Sequence, residues 1–279
     1  MIGIFDSGLG GLTVLRAIRA RLPTSEILYL ADRAHVPYGD RAPAELRALL
    51  AANLAYLEAE GADVIAMGCN TSCAIAATYG WPPTRAPILD LIASAASAVA
   101  ESGARRIGVL ATAATVAAGA YGRAMRARDP ALHVREFAAP KLVPLIERAA
   151  PDAEVRAAVA SACAPLLGAI DALVYGCTHY PLVDGAFAAV LDDGVARIDP
   201  AVEQAAAAAR LLVDRPETID GTTSRHRRPT RFATTETDVA AFRGALARYV
   251  SLDVDTVVAR AGLAAPRSGS PPVAQARLK

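Results

Sequence analysis

The stretches DVIAMGCNT (residues 63–71) and DALVYGCTH (residues 171–179) align residue for residue. Each opens on an aspartate, runs through four mostly apolar residues, and ends in Gly-Cys followed by polar side chains. A short apolar run bounded by a glycine is the pattern of a buried strand turning sharply into the next element. A second pair points the same way: IGIFDS (2–7) lines up with IGVLAT (107–112). The two offsets, 105 and 108 residues, are nearly equal and in the same order. That predicts two related halves. Between the strand-like runs IGIF, EILYLA, DVIAM, RIGVLA, HVREF and DALVY lie longer segments of helical spacing, such as Gly11–Arg21 and Ala42–Glu60. Strand and helix in alternation imply parallel sheets covered by helices, and near-continuous apolar strands fit sheets buried on both faces.

The first half is placed at 1–95 and the second at 96–204. The remainder, 205–265, contains the strand-like RRPTRFATT and could return to either half. The last residues, 266–279, are rich in proline, serine and charge and read as a disordered tail.

Bulk properties narrow the function. Of the 279 residues 53% are apolar, enough for a large core. A net charge of +1 and 5% aromatic content provide no footprint for nucleic acid. The one basic cluster, SRHRRPTR (224–231), lies among turn formers and reads as a solvated loop. Charges and glycines interrupt every apolar stretch, so no membrane span is expected. A strand pattern starting at Ile2 leaves an expectation of no signal peptide. The four cysteines, Cys69, Cys73, Cys163 and Cys177, are then expected to be reduced thiols in the cytoplasm.

In open α/β sheets ligands bind beyond the carboxyl ends of the strands. There the first half offers Asp6-Ser7 and Cys69-Asn70-Thr71; the second offers Thr112, Thr115 and Cys177-Thr178-His179. If the halves face each other, two thiols flank one cleft. A helix starting after each thiol would lower both thiol pKa values through its dipole. Cys73 and Cys163 read instead as small buried hydrophobes. A zinc site lacks its CxxC and HxxxH spacings, so no metal is expected. A dinucleotide site is suggested by Gly8-Leu9-Gly10-Gly11 with Asp32 after the next strand, but Thr13 stands where the third glycine belongs. Those glycines could equally bring backbone N–H groups to a carboxylate.

Two opposed thiols suit inversion of a stereocentre: one thiolate removes a proton from carbon, and the other thiol returns one to the opposite face. Such chemistry on amino acids commonly uses pyridoxal phosphate on a lysine. The only lysines are Lys141 and Lys279, neither in a cofactor motif, so a reaction without cofactor is expected.

The sequence resembles the cofactor-independent glutamate racemases of the aspartate/glutamate racemase superfamily. The resemblance rests on IGIFDSGLGGLTVLRAI, ADRAHVPYG, GCNTSCA, IGVLATAATV, LVPLIE, YGCTHYPL and IDPA, and more weakly on FATTETDVAAF. It implies two pseudo-symmetric, doubly wound α/β domains with the site in the cleft between them and 205–265 returning to the first. It implies Cys69 and Cys177 as the two acid/bases, assisted by Asp6 and His179. Asp6, Ser7, Pro37, Tyr38, Gly39, Asn70, Thr71, Thr112, Thr115 and Thr178 would hold the substrate, with Asp32 and Glu147 as supporting acids. The implied reaction interconverts L- and D-glutamate for peptidoglycan; a homodimer stays open. An aspartate or hydantoin racemase is the nearest alternative, and a nucleotide-binding module a more distant one. Ser72-Cys73 and Ala139 depart from the commoner family pattern without removing a catalytic group.

Overall fold

The computed structural model describes residues 1–213, 230–250 and 258–262. Along the chain run β1 (Ile2–Asp6), α1 (Leu12–Arg21), β2 (Ile27–Ala31), α2 (Pro43–Ala59), β3 (Val64–Met67), α3 (Asn70–Tyr79), β4 (Ile88–Leu89) and α4 (Leu91–Ser102). Then follow β5 (Arg106–Ala111), α5 (Ala113–Ala118), α6 (Ala120–Arg128), β6 (His133–Ala138), α7 (Leu142–Glu147), α8 (Asp152–Cys163), β7 (Ala172–Gly176), α9 (Asp184–Ala188) and β8 (Ala196–Ile198). The chain finishes with α10 (Pro200–Val213), β9 (Thr230–Thr234), α11 (Val239–Leu246) and β10 (Val258–Arg260).

The strands form a six-stranded sheet, β10-β9-β2-β1-β3-β4, and a four-stranded sheet, β6-β5-β7-β8, with every pairing parallel. The run β2-β1-β3-β4 has the same order as β6-β5-β7-β8, so each half is built on the same four-strand plan. Its register repeats too: Ile2 faces Val64, and Ile107 faces Ala172. The repeated aspartates anchor the strand starts. Asp63 pairs with the N-terminal ammonium at 2.6 Å, while Asp171 accepts the backbone N–H groups of Arg105 and Arg106 and both arms of the Arg106 guanidinium. Strands β9 and β10 extend the first sheet beyond β2, so the C-terminal segment returns to that side. The short strands β4, β8 and β10 were not marked in the sequence, because two or three residues carry no periodicity.

Local signals set the helix ends. Asp90 caps α4 by accepting from the N–H groups of Ile92 and Ala93, and Gly103, at φ 73°, ends it in the left-handed region. Thr112 caps α5 through the Thr115 N–H.

One core runs through both halves. It fills both faces of the first sheet and reaches Ile107, Val109 and Val174 on one face of the second, with Tyr121 and Met125 of α6. The alternate residues Leu110, Leu173 and Tyr175 face a separate cluster with Val159, Cys163 and Phe187. Helices α4 and α10 pack together, α10 also against α1 and α4 against α6, which joins the two sheets. Among the described residues no helix is long and apolar enough to cross a membrane. The tail 266–279 and most of the basic stretch 224–231 lie outside the described residues.

Candidate active site

A cavity of about 200 Å³ opens between the carboxyl ends of the two sheets. Its lining includes Asp6, Ser7, Pro37, Tyr38, Gly39, Cys69, Asn70, Thr71, Thr112, Glu147, Cys177, Thr178 and His179. Two of the residues expected at the site stand behind this wall. Thr115 is fully buried, and its hydroxyl holds that of Thr112 at 2.9 Å. Asp32 is also fully buried and acts as a hub. It takes the Tyr38 hydroxyl, the Asn53 amide at 3.2 Å and the Thr235 hydroxyl at 2.7 Å, and it contacts His35 Nδ1 at 2.7 Å. Tyr38 and its loop are thereby tied to α2 and to the residue after β9.

The two thiols enter from matched strand ends with different neighbours. Cys69 stands at the N-terminal boundary of α3 and donates to the Ser7 hydroxyl at 3.5 Å. Asp6 sits nearby, fixed by the Gly11 N–H at 2.9 Å and the Tyr29 hydroxyl at 3.0 Å. Burial pushes the Asp6 carboxyl above its ordinary range, outweighing the nearby His179 charge and these hydrogen bonds. The expectation of a lowered Cys69 pKa is overturned: burial, reinforced by the Asp6 charge, pushes this thiol up. A helix N-terminus contributes roughly 0.3–1 kcal/mol, whereas full burial shifts a charged group by several pK units, so desolvation wins.

Cys177 is followed by a 3-10 turn, Tyr180–Val183, rather than directly by an α-helix. Its neighbour is His179, with Nδ1 3.7 Å from the sulfur. The other ring nitrogen meets Glu147 at 2.8 Å. Burial alone would push His179 down, but its bonds to Cys177 and Glu147 outweigh that and hold the imidazolium well above its ordinary range. Glu147 is held below its usual range: burial opposes, but the His179 bond and charge and the Arg33 charge prevail. This makes Cys177-His179-Glu147 a relay that can take up or release a proton.

The glycine turn after β1 serves close approach of the halves. A Cβ on Gly10 would lie 2.4 Å from His179 Nδ1 and 2.6 Å from Thr178 Oγ1. Thr13, in the third-glycine position, donates to Gly10 O and to Thr178 O. Thr178 in turn donates to Gly68 O at 2.8 Å, one residue before Cys69. The turn is therefore filled by the second half of the same chain, where a dinucleotide reading would put a pyrophosphate.

Several of these groups were missed in the sequence. Gln204 of α10 is fully buried and donates to Met67 O and Leu89 O, holding the strand end that carries Cys69. Tyr121 donates to Asn70 Oδ1. A glutamine within an alanine-rich helix was the only available signal for the first. Lys141 precedes α7 and lines an outer groove beside α8 rather than the cavity. Among the described residues no group of three or more His, Cys, Asp or Glu is placed to hold a metal ion.

A family model described as Asp/Glu/Hydantoin racemase matches residues 12–209. The chain belongs to this family. It is 45% identical over 214 residues to a glutamate racemase of Gloeobacter violaceus, covering 76% of this chain and 80% of the relative. Among solved structures it is similar to a glutamate racemase isoform from Bacillus anthracis, with TM-score 0.82 and 30% identity over 92% of this chain and 96% of that one. It is also similar to the Francisella tularensis glutamate racemase in complex with D-glutamate, with TM-score 0.79 and 27% identity over 92% and 95% of the two chains.

Proposed function

We propose that the chain is an isomerase that interconverts L- and D-glutamate without pyridoxal phosphate, using Cys69 and Cys177 as opposed acid/bases. The observation that carries the reading is the lining of one small cavity by both thiols, each with its own acidic or basic helper. In one direction the Cys177 sulfur, as thiolate, takes the α-proton. The electron pair left on Cα delocalises into the α-carboxylate, and the Cys69 thiol delivers a proton to the other face. The reverse reaction exchanges the two roles. Raised Asp6 and raised Cys69 suit a proton donor, while His179 can accept a proton from Cys177 or return it.

The hydroxyls of Ser7, Thr71 and Thr112, the Asn70 amide, and backbone N–H groups after Asp6 and Cys69 are the donors for the substrate carboxylates, while Thr178, whose proton goes to Gly68 O, offers its oxygen as an acceptor. Fixed donors in a closed, desolvated cavity stabilise the carbanionic transition state without reorganising. Positioning supplies much of the rate, because a thiolate is a weak base toward an α-hydrogen.

Relatives named glutamate racemase, one of them crystallised with D-glutamate, support glutamate as the small-molecule substrate. The product would supply D-glutamate for peptidoglycan in the cytoplasm, a compartment in keeping with four free thiols. The sheet membership of the strands supports a first domain of 1–95 with 205–265 and a second of 96–204. A homodimer is the assembly to test by sedimentation. The functional test incubates each enantiomer in D2O without pyridoxal phosphate and follows α-deuteration and optical rotation. Exchange of glutamate with loss of rotation supports the reading; exchange of aspartate but not glutamate moves the substrate; no exchange of either defeats it.

A further inference from the structure

Arg33 belongs to none of the groups discussed as lining the cavity, yet it stands at the end of a chain of charges leading into it. Its Nε donates to Glu236 Oε2 at 2.8 Å, just after β9. Its Nη1 lies 3.8 Å from Glu147 Oε2 on α7, across the cleft. The other oxygen of that carboxylate, Oε1, meets His179 Nε2 at 2.8 Å, and His179 Nδ1 is 3.7 Å from the Cys177 sulfur. Four links thus connect the segment after β9 on the first sheet with a thiol on the second. The Arg33 and Glu147 side chains are 22% and 24% exposed, enough burial for their charges to be felt.

We propose that Arg33 is a positioning residue: from the first half it fixes the Glu147 carboxylate so that Oε1 faces His179, and Glu236 fixes Arg33 in turn. The Glu147 carboxylate is held by His179 and by the Leu9 backbone N–H, and the Arg33 charge 3.8 Å from Oε2 adds a pull that favours the orientation with Oε1 toward His179. The charges balance in the same arrangement. With His179 protonated, Glu147 and Glu236 are matched by His179 and Arg33. Without Arg33 two carboxylates share one imidazolium, and the field at Cys177 becomes more negative. The other charged groups facing His179 are Asp6 and Cys177. Because Arg33 and Glu147 sit on opposite sides of the cleft, the contact also exists only when the halves are together, so it would link closure to the state of the Cys177 relay.

This inference rests on the racemase reading for its kinetic arm, but its thiol arm does not. The experiment compares wild type, Arg33→Met, Arg33→Lys and Glu236→Gln. Iodoacetamide alkylation of Cys69 and Cys177 at pH 7 is followed by peptide mass spectrometry, alongside kcat and KM for both enantiomers. Removing a cation disfavours a nearby thiolate, so Arg33→Met is expected to slow Cys177 alkylation about threefold and leave Cys69 alkylation unchanged, the scale of a partly exposed ion pair. It is expected to lower kcat about threefold to tenfold with KM changed by less than about threefold. Arg33→Lys should recover at least half the loss. Glu236→Gln should act in the same direction but more weakly, and it carries the test if Arg33→Met fails to fold. Equal effects on both thiols, no effect on either, or a raised KM with kcat intact would each overturn the proposal. Wild type that alkylates as described but does not racemise glutamate would instead defeat the functional reading alone.

Discussion

Replacing Gly10 by alanine inserts one methyl group where the halves touch. The new Cβ would lie 2.4 Å from His179 Nδ1, 2.6 Å from Thr178 Oγ1 and 2.7 Å from His179 Cε1. Ordinary contact for such atoms begins at about 3.4 Å, so the turn and the Thr178-His179 segment must separate by about 1 Å. Both residues are fixed elsewhere: Thr178 binds Gly68 and Thr13, and His179 binds Glu147. The methyl therefore has no soft neighbour to displace. A misplacement of about 1 Å at reacting groups costs roughly 100-fold in rate, and overpacking costs about 1–3 kcal/mol in stability. The expected outcome is a kcat lowered about 100-fold and a melting temperature lowered by several degrees. The assay is polarimetric racemisation from either enantiomer with parallel thermal melts. The two enantiomers have equal free energy, so kcat/KM must fall equally in both directions. Gly244→Ala is the control, since its Cβ would meet nothing within 4 Å. A Gly10→Ala protein with kcat within twofold of wild type would refute the claim that this contact sets the cleft geometry.

Further outcomes follow from the same geometry. Cys69→Ser and Cys177→Ser should each lower racemisation at least about 100-fold in both directions while the melt is nearly unchanged; full activity in either would defeat the two-base scheme. Gln204→Leu leaves Met67 O and Leu89 O without their donor, costing about 1–3 kcal/mol for each orphaned group, and should depress kcat through the strand end before Cys69, read by chemical denaturation and kinetics. The raised His179 stabilises the fold most fully below its unfolded pKa, about 6.5, and that contribution is lost as pH rises through the folded value. Melts between pH 6 and 10 should therefore show wild type losing more stability than Glu147→Gln; parallel curves would remove the ion pair from the account.

Much of the candidate site is legible in the sequence, and the reasons are local. Strands buried on both faces must be apolar along their length, and a ligand-facing turn must break that pattern with glycine and polar groups. Both constraints write themselves into consecutive residues, which is why IGIFDS and GCNT stand out. The same locality leaves the depth of a side chain unspecified. Thr115 and Asp32 sit in the right turns, but which face of a turn looks into a cavity depends on how the other half approaches. Gln204 and Arg33 act on partners far along the chain, 137 and 203 residues away in two of their bonds, and no local period marks them.

The sequence by itself determined the two-fold α/β plan, the parallel strands and the pair of thiols at equivalent strand ends, because repeated residues at a constant offset impose repeated geometry. Only the tertiary structure decided how unlike the two thiols are. Equivalent in sequence, they differ in environment: Cys69 is buried beside an aspartate, and Cys177 stands beside an imidazole held by a glutamate. The charge near each sulfur comes from residues far along the chain, Asp6 beside Cys69 and Glu147 behind the His179 that meets Cys177, and only the folded chain brings them together.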